Sequence, residues 1–387
     1  MKLIFASDSF KGTLGSAQIA GLLGKAARSV FGDVETAGVV LADGGEGTAE
    51  AVIASAGARA KSVTVHGPFM DPVKAEYAAF DDGRAVIEMA SASGITLVPE
   101  SRLDPLEATS VGTGELLLDA LNNGARDISV AIGGSATNDG GMGFMKALGA
   151  CFYDRSGEPL EGRGRDLGRV ARIDLSGLDK RLTDTKITVM CDVDNPLTGE
   201  NGATYTYGPQ KGASPETLKI LEAGMCNYRD AIKDITGINC DEVPGTGAAG
   251  GIGAALYALL GAELKPGIDV VLDLIRFDKL IEGADLIITG EGRADYQSVH
   301  GKAMQGVGRR AREKGVPVAA IVGGLGDGWQ GLLNCGICEV VPLVKGDVTV
   351  EDAMTRPEEV YYEAALEFFS RLKEKRSNDP EGKFYWT

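Results

Sequence analysis

The feature that most constrains this chain is the placement of its polar residues, which gather in short glycine-rich segments directly after apolar runs. Five such segments stand out: Asp8-Ser9-Phe10-Lys11, Asp43 to Thr48, Gly133 to Gly141, Asp192 to Asn195 and Gly290 to Asp295. In α/β folds the loops that leave the carboxyl ends of parallel strands share one edge of the sheet and form its ligand crevice. Five in one chain therefore predict an α/β fold with its chemistry along such edges. Glycine, at 55 of 387 residues, is abundant enough to supply many tight strand-to-helix turns.

The apolar spacing fills in the elements. Lys2 to Ala6 reads as a buried strand, followed by a helix carrying Ile19, Leu22, Leu23, Ala26 and Val30 with a candidate cap at Ser16. Val34 to Leu41, Lys61 to Val65, Ala75 to Phe80, Ala85 to Met89, Ile128 to Ile132 and Ile187 to Cys191 read as further strands. Turn residues at Gly67-Pro68 and Asp81 to Gly83 suggest hairpins. Helices are expected near Thr113 to Asn123, Met142 to Leu148 and Pro215 to Ile235, and Asp154 to Arg169 reads as a polar surface excursion. The last third winds regularly through Leu286 to Thr289, Ala303 to Lys314, Val318 to Val322, Val340 to Val344 and Pro357 to Leu372, the tempo of a parallel sheet. Arg376 to Thr387 reads as a solvated tail. The two chain ends share that Rossmann- or flavodoxin-like tempo while the middle differs. The expectation is a discontinuous α/β domain, 1–66 plus 285–387, with a mixed α/β domain inserted at 67–284; the length suits two cores better than one.

A net charge of −16 opposes binding to nucleic acid or an anionic membrane. No apolar run approaches 18 residues and the opening strand is too short for a signal segment, so a cytoplasmic protein without a membrane partner is expected. Six scattered cysteines and two histidines point to reduced thiols rather than a zinc site.

No Walker A loop occurs. Gly245-Thr246-Gly247-Ala248-Ala249-Gly250 fits G-x-G-x-x-G, but Pro244 interrupts the strand a dinucleotide fold requires, so Gly247, Gly250 and Gly251 read better as a phosphate site at a helix start. In Gly133 to Gly141, Gly134, Ser135, Thr137, Asn138 and Asp139 offer amides, hydroxyls, an amide side chain and a carboxylate for an anionic substrate, as does Ser9. Gly290, Gly292, Arg293 and Lys302 beside the carboxylates Glu291 and Asp295 suit a nucleotide's phosphates with Mg²⁺. Lys11 reads as a phosphate or carboxylate clamp. A hydroxyl attacking phosphorus needs a carboxylate to take its proton; Asp192 is the first candidate, with Asp43 and Asp8 in equivalent topological positions.

Nine segments in order resemble the type 1 glycerate kinase family: DSFKGTL from Asp8, ADGGEGT from Ala42, IEMASASG from Ile87, GTGELL from Gly112, GGSATNDGG from Gly133, CDVDNPLTG from Cys191, GPQKGA from Gly208, PGTGAAGG from Pro244 and TGEGRADYQS from Thr289. The resemblance implies two α/β domains around a cleft and transfer of the γ-phosphoryl of ATP to glycerate, usually on O2 in bacterial members; D-glycerate as substrate, Mg²⁺ as cofactor and a homodimer or monomer complete the expectation. A kinase of another small hydroxy acid or polyol, and a nicotinamide-dependent oxidoreductase using the Gly245 segment, are the alternatives.

Overall fold

The computed structural model describes residues 1–378 apart from Lys11, Asp43, Glu46, His300 and Gly301, so the candidates Lys11 and Asp43 lie outside the described residues. The chain divides into two compact units, Met1–Asp43 with Ala54–Ala56 and Ile268–Thr387, and Gly44–Ile53 with Gly57–Gly267. Both expected boundaries, 66 and 284, fall later in the chain than these.

The first unit is built on a five-stranded, wholly parallel sheet in the order Ile337–Pro342, Val318–Val322, Leu286–Gly290, Lys2–Ser7, Glu35–Gly38. Leu286–Gly290 and Val318–Val322 are buried at every position, the unbroken apolar pattern that helices on both faces demand. Glu35–Gly38 is shorter than the expected Val34 to Leu41, and it lies at the sheet edge where no second partner extends it. The last strand begins at Ile337, ahead of the expected Val340, because Gly336 turns the chain at φ 95°.

Helix Ser16–Phe31 starts at the residue expected to cap it. Gly15 is the cap, its N–H donating to the Gln18 side chain at 2.9 Å, while the Ser16 hydroxyl donates to the Ser7 carbonyl. This helix and Pro357–Asn378 bury Ile19, Leu23, Tyr361, Phe368 and Phe369 with Leu3, Phe5 and Ile288 of the sheet. Each such side chain stabilises by about 1.5–3 kcal/mol. The last helix takes in Arg376, the first residue of the expected tail.

The second unit holds a six-stranded mixed sheet in the order Glu263–Lys265, Lys186–Met190, Asp127–Ala131, Arg84–Glu88, Pro72–Ala79, Arg59–His66. The first four strands are mutually parallel and the last two close as the expected antiparallel hairpins. Helix Pro215–Thr236 begins at a Ser214 cap with proline in its first turn and ends at Gly237 in the left-handed region. It buries Leu221, Met225, Tyr228 and Ile232, a stripe at helical spacing.

The stretch 154–169 is a surface excursion at 155–159, as its polarity suggests, but its second half is anchored inside. Leu160 and Leu167 anchor it in the core, and the Asp166 carboxylate, also buried, accepts from the Gly162 and Arg163 amides at 3.0 and 3.2 Å. Among the described residues no helix is long and apolar enough to cross a membrane.

Candidate active site

In the first unit, strands Lys2–Ser7 and Leu286–Gly290 run side by side and end together, Ser7 opposite Gly290, with the Asp8 amide donating to the Gly290 carbonyl at 2.9 Å. Their following loops therefore open at one edge of the sheet. A cavity of about 770 Å³ lies there, with Asp8, Ser9, Glu291, Gly292, Arg293, Asp295 and Lys302 in its wall. Seven of the expected site residues are thus brought into one place. Gly290 is different: a Cβ there would stand 1.9 Å from the Ile321 carbonyl oxygen, so its glycine serves the approach of neighbouring strands.

The cavity's charges are unevenly solvated. Glu291 is buried, and burial pushes its carboxyl pKa up; a hydrogen bond from the Ser298 hydroxyl and the nearby Lys302 pull it back, while Asp8 and Asp295 push the same way as burial. Asp295 accepts from the Gln297 amide at 2.9 Å and faces the exposed Arg293 guanidinium at 3.8 Å. Asp8 accepts from the Ser9 amide at 2.6 Å. Among the described residues no group of three or more His, Cys, Asp and Glu side chains forms a metal cage. Two carboxylates beside a lysine are, however, the donor set suited to Mg²⁺ that keeps waters and takes its remaining ligands from a nucleotide's phosphates.

In the second unit three strand-end loops meet. A Cβ on Gly44 would lie 2.9 Å from Met190 Cβ at the end of Lys186–Met190, and one on Gly133 would lie 3.0 Å from Gly45 Cα. Glu88, ending its own strand, accepts from the Thr48 amide at 2.6 Å. The 133–141 loop is tied down on its far side by the bonds Ile95 N–H to Gly134 O and Ala136 N–H to Ser93 O. Gly134 is exposed, but Ser135, Thr137, Asn138 and Asp139 are buried.

Those four side chains consequently act behind the loop and not on its open face. Asp139 is held by four donors, the Ser110 amide and hydroxyl at 2.7 Å and the Gly141 and Gly143 amides at 3.1 and 3.2 Å. Burial pushes its carboxyl pKa up and these bonds oppose the shift. Asn138 donates to the Thr204 hydroxyl at 3.3 Å. Asn138 and Asp139, expected to meet an anionic substrate, are both enclosed by protein.

Lys211 is the residue that sequence reasoning passed over. It is 1% exposed and donates to Ser135 Oγ at 2.8 Å and to the Thr137 carbonyl at 2.6 Å, an ammonium set beneath the loop. Burial lowers its pKa to about 7, with Asp139 pulling in the opposite direction. The only signal was its position between Gly208 and Gly212 in the GPQKGA segment, where a lysine interrupts small residues.

Asp192 follows strand Lys186–Met190 and is exposed, one carboxylate oxygen accepting from the Gly267 amide at 2.8 Å. That leaves a solvent-facing carboxylate on a fixed anchor, a geometry open to proton transfer.

Gly247, Gly250 and Gly251 lie in the second unit, whereas Gly290, Gly292, Arg293 and Lys302 lie in the first. The glycines of the 245–251 segment are explained by packing. Cβ atoms on Gly247 and Gly250 would stand 2.0 Å from the carbonyl oxygens of Pro196 and Thr137, and one on Gly251 would stand 3.0 Å from Gly140 Cα. All three are buried, and Ala249, Gly250 and Gly251 hold φ of 53°, 73° and 90°. Close packing against neighbouring peptide groups is thus sufficient to explain these three glycines. Gly250→Ala combines a strained φ with that overlap and is expected to lower the melting temperature by about 5–10 °C; a value within a degree of the parent would show that the loop can move aside.

A sequence model described as the glycerate kinase family matches residues 3–373. The chain is 45% identical to a glycerate 2-kinase of Escherichia coli K12, over 91% of this chain and 93% of that one. It is 43% identical to a glycerate kinase of Halalkalibacterium halodurans, over 94% and 96%. The crystal structure of a protein assigned as glycerate kinase 2 from Salmonella typhimurium LT2 superposes with a TM-score of 0.87 at 41% identity, covering 97% of this chain and 99% of that one. Matched in sequence and in fold over nearly its whole length, the chain belongs to the glycerate kinase family of enzymes.

Proposed function

We propose that this enzyme transfers the γ-phosphoryl group of ATP to O2 of D-glycerate. The observation that carries the reading is the strand-end cavity of the first unit, where Glu291, Asp295, Lys302 and Arg293 gather as phosphoryl transfer requires. The choice of O2 draws on the 45% identity to a glycerate 2-kinase.

In this reading Lys302 and Arg293 face the nucleotide's phosphates, and Glu291 and Asp295 would hold Mg²⁺, which when bound would neutralise phosphate charge. The raised pKa of Glu291 fits a carboxylate awaiting a cation. Ser9 and Asp8 line the same cavity and bind at its mouth, with Lys11 as a clamp. Glycerate's carboxylate meets the exposed backbone at Gly134, while behind it Asp139 holds the Gly141 and Gly143 amides and Ser135 is held by Lys211. Asp192 takes the hydroxyl proton late in the transfer, Asp43 being the alternative base.

Phosphorus NMR of the product from D-glycerate, ATP and Mg²⁺ tests the proposal. Appearance of 2-phosphoglycerate and ADP is expected. Formation of 3-phosphoglycerate would overturn the regiochemistry, and no transfer to glycerate alongside transfer to another hydroxy acid or polyol would overturn the substrate.

A further inference from the structure

We infer that the base of the phosphoryl donor packs against an apolar slot formed by Val350 and Met354, completed by Leu325 and Val344, and that this slot binds the base by its face without reading its edge. The inference rests on the reading that the first unit's cavity takes the nucleotide, and it adds where the base goes and how selective the site is.

The cavity wall follows the order of the strands. The charged residues Asp8, Glu291, Arg293 and Asp295 come from the loops after Lys2–Ser7 and Leu286–Gly290. Leu325, Leu343 and Val344 come from the segments after Val318–Val322 and Ile337–Pro342, on the other side of Leu286–Gly290 in the sheet. Helix Val350–Thr355 and Pro357 complete that apolar side. A cavity that changes from charged to apolar along one sheet edge matches a ligand with a polyphosphate at one end and a flat heterocycle at the other.

Three of the eleven large apolar side chains left exposed among the described residues lie in this one cavity: Leu325 at 40%, Val350 at 64% and Met354 at 56%. Val350 and Met354 are four residues apart and so share one face of their helix. That helix is fixed by a capping box in which Thr349 and Asp352 bond reciprocally, so the apolar pair is presented on a firm support. A polarizable thioether beside a branched aliphatic suits the face of a purine.

Discrimination between bases requires hydrogen bonds to their edges, and a site lacking them rejects the wrong partner only weakly. On this side of the cavity the described lining from Leu325, Leu343, Val344, Val350, Met354 and Pro357 is apolar, and Thr13, a polar side chain elsewhere in the wall, already donates its hydroxyl to the Phe10 carbonyl. Three backbone donors there are already engaged, Gly324 N–H to Gly292 O, Leu343 N–H to Val322 O and Val344 N–H to Gly323 O. Adenine and guanine nucleotides are accordingly expected to serve within about a hundredfold of each other in kcat/KM, the range an apolar contact alone can separate.

The test compares Val350→Ala with Met354→Ala, Met354→Asp and Lys302→Met, using steady-state kinetics with ATP and GTP and inhibition by inorganic tripolyphosphate, which has no base. The Val350 and Met354 side chains are exposed, so the variants should fold. The slot predicts that Met354→Ala and Val350→Ala each raise KM for ATP and GTP alike by about threefold to tenfold, that Met354→Asp raises it further, and that tripolyphosphate inhibition stays at the parental level. Lys302→Met should weaken both nucleotides and tripolyphosphate. Unchanged KM for ATP in both alanine variants, with Lys302→Met still impaired, would overturn the slot and leave the phosphate site standing. No effect of Lys302→Met on any of these ligands would remove the cavity as the nucleotide site altogether. Rejection of GTP by more than about a hundredfold in the parent would show that the base edge is read, and would overturn the selectivity inferred from the apolar lining.

Discussion

Replacing Asp192 by asparagine is expected to lower kcat by about two to four orders of magnitude while leaving the fold intact, the range over which a positioned proton acceptor contributes. Asparagine keeps an oxygen able to accept from the Gly267 amide, the bond that anchors Asp192 at 2.8 Å, so the loop after strand Lys186–Met190 should retain its course. What disappears is the negative charge and the capacity to receive a proton. Because the transferring phosphoryl group carries little bond order to either oxygen in a loose transition state, the acceptor hydroxyl loses its proton late, and the damage should appear in kcat more than in KM. ADP release at saturating ATP and glycerate measures it, with the melting temperature as control. Turnover near the parental rate would move the base assignment to Asp43 or Asp8.

Lys211→Met is expected to lower kcat/KM by about a hundredfold or more, since two acceptors that fix the 133–141 loop, Ser135 Oγ and the Thr137 carbonyl, lose their common donor. Its effect on stability depends on pH, and the sign follows from the direction of the shift. The folded chain holds this lysine at about 7 against an ordinary 10.5, so between those values the unfolded chain binds more protons and stability from this site rises with pH. Below about pH 7 the penalty for burying the ammonium is fully present; it is relieved progressively above. The stability of the parent relative to Lys211→Met should therefore increase by about 2–3 kcal/mol from pH 6.5 to 9, measurable by urea unfolding at the two pH values. A difference that does not change with pH would mean that the ammonium keeps its ordinary affinity for protons. Lys211→Arg retains the charge but replaces the compact head with a planar fork.

Much of the architecture was legible because it rests on patterns that local physics enforces. Apart from Lys2 and Thr289 at their ends, the runs Lys2 to Ala6, Leu286 to Thr289 and Val318 to Val322 are apolar, as buried parallel strands must be, and their observed ends differ by at most a residue. The polar loops after them were visible for the same reason, and the structure gathers Asp8, Glu291, Arg293, Asp295 and Lys302 around one cavity. What local pattern leaves unread has a common cause in long-range contacts. A glycine needed to admit a phosphate looks in sequence like one needed to admit a carbonyl oxygen, and at Gly247 and Gly250 the carbonyl is what is there. Leu160 and Leu167 were too few among charged neighbours to announce a buried segment. Lys211 was missed because lysine is almost never fully buried, and only the approach of Ser135 and Thr137 from elsewhere in the chain makes its burial tolerable.

The parallel sheet of the first unit also dictates an order of events on the ribosome. Strand Lys2–Ser7 lies between Glu35–Gly38 and Leu286–Gly290, so one of its neighbours is made almost at once and the other only after the entire second unit has been synthesised. Until then Leu3, Ile4 and Phe5, all buried in the finished protein, have an unpaired strand edge beside them. The inserted unit can complete its own sheet from contiguous chain, whereas the unit that begins first must finish last. The nascent chain is thus left holding a sticky, half-built edge for most of its translation, the kind of surface that attracts chaperones and that aggregates when translation stalls.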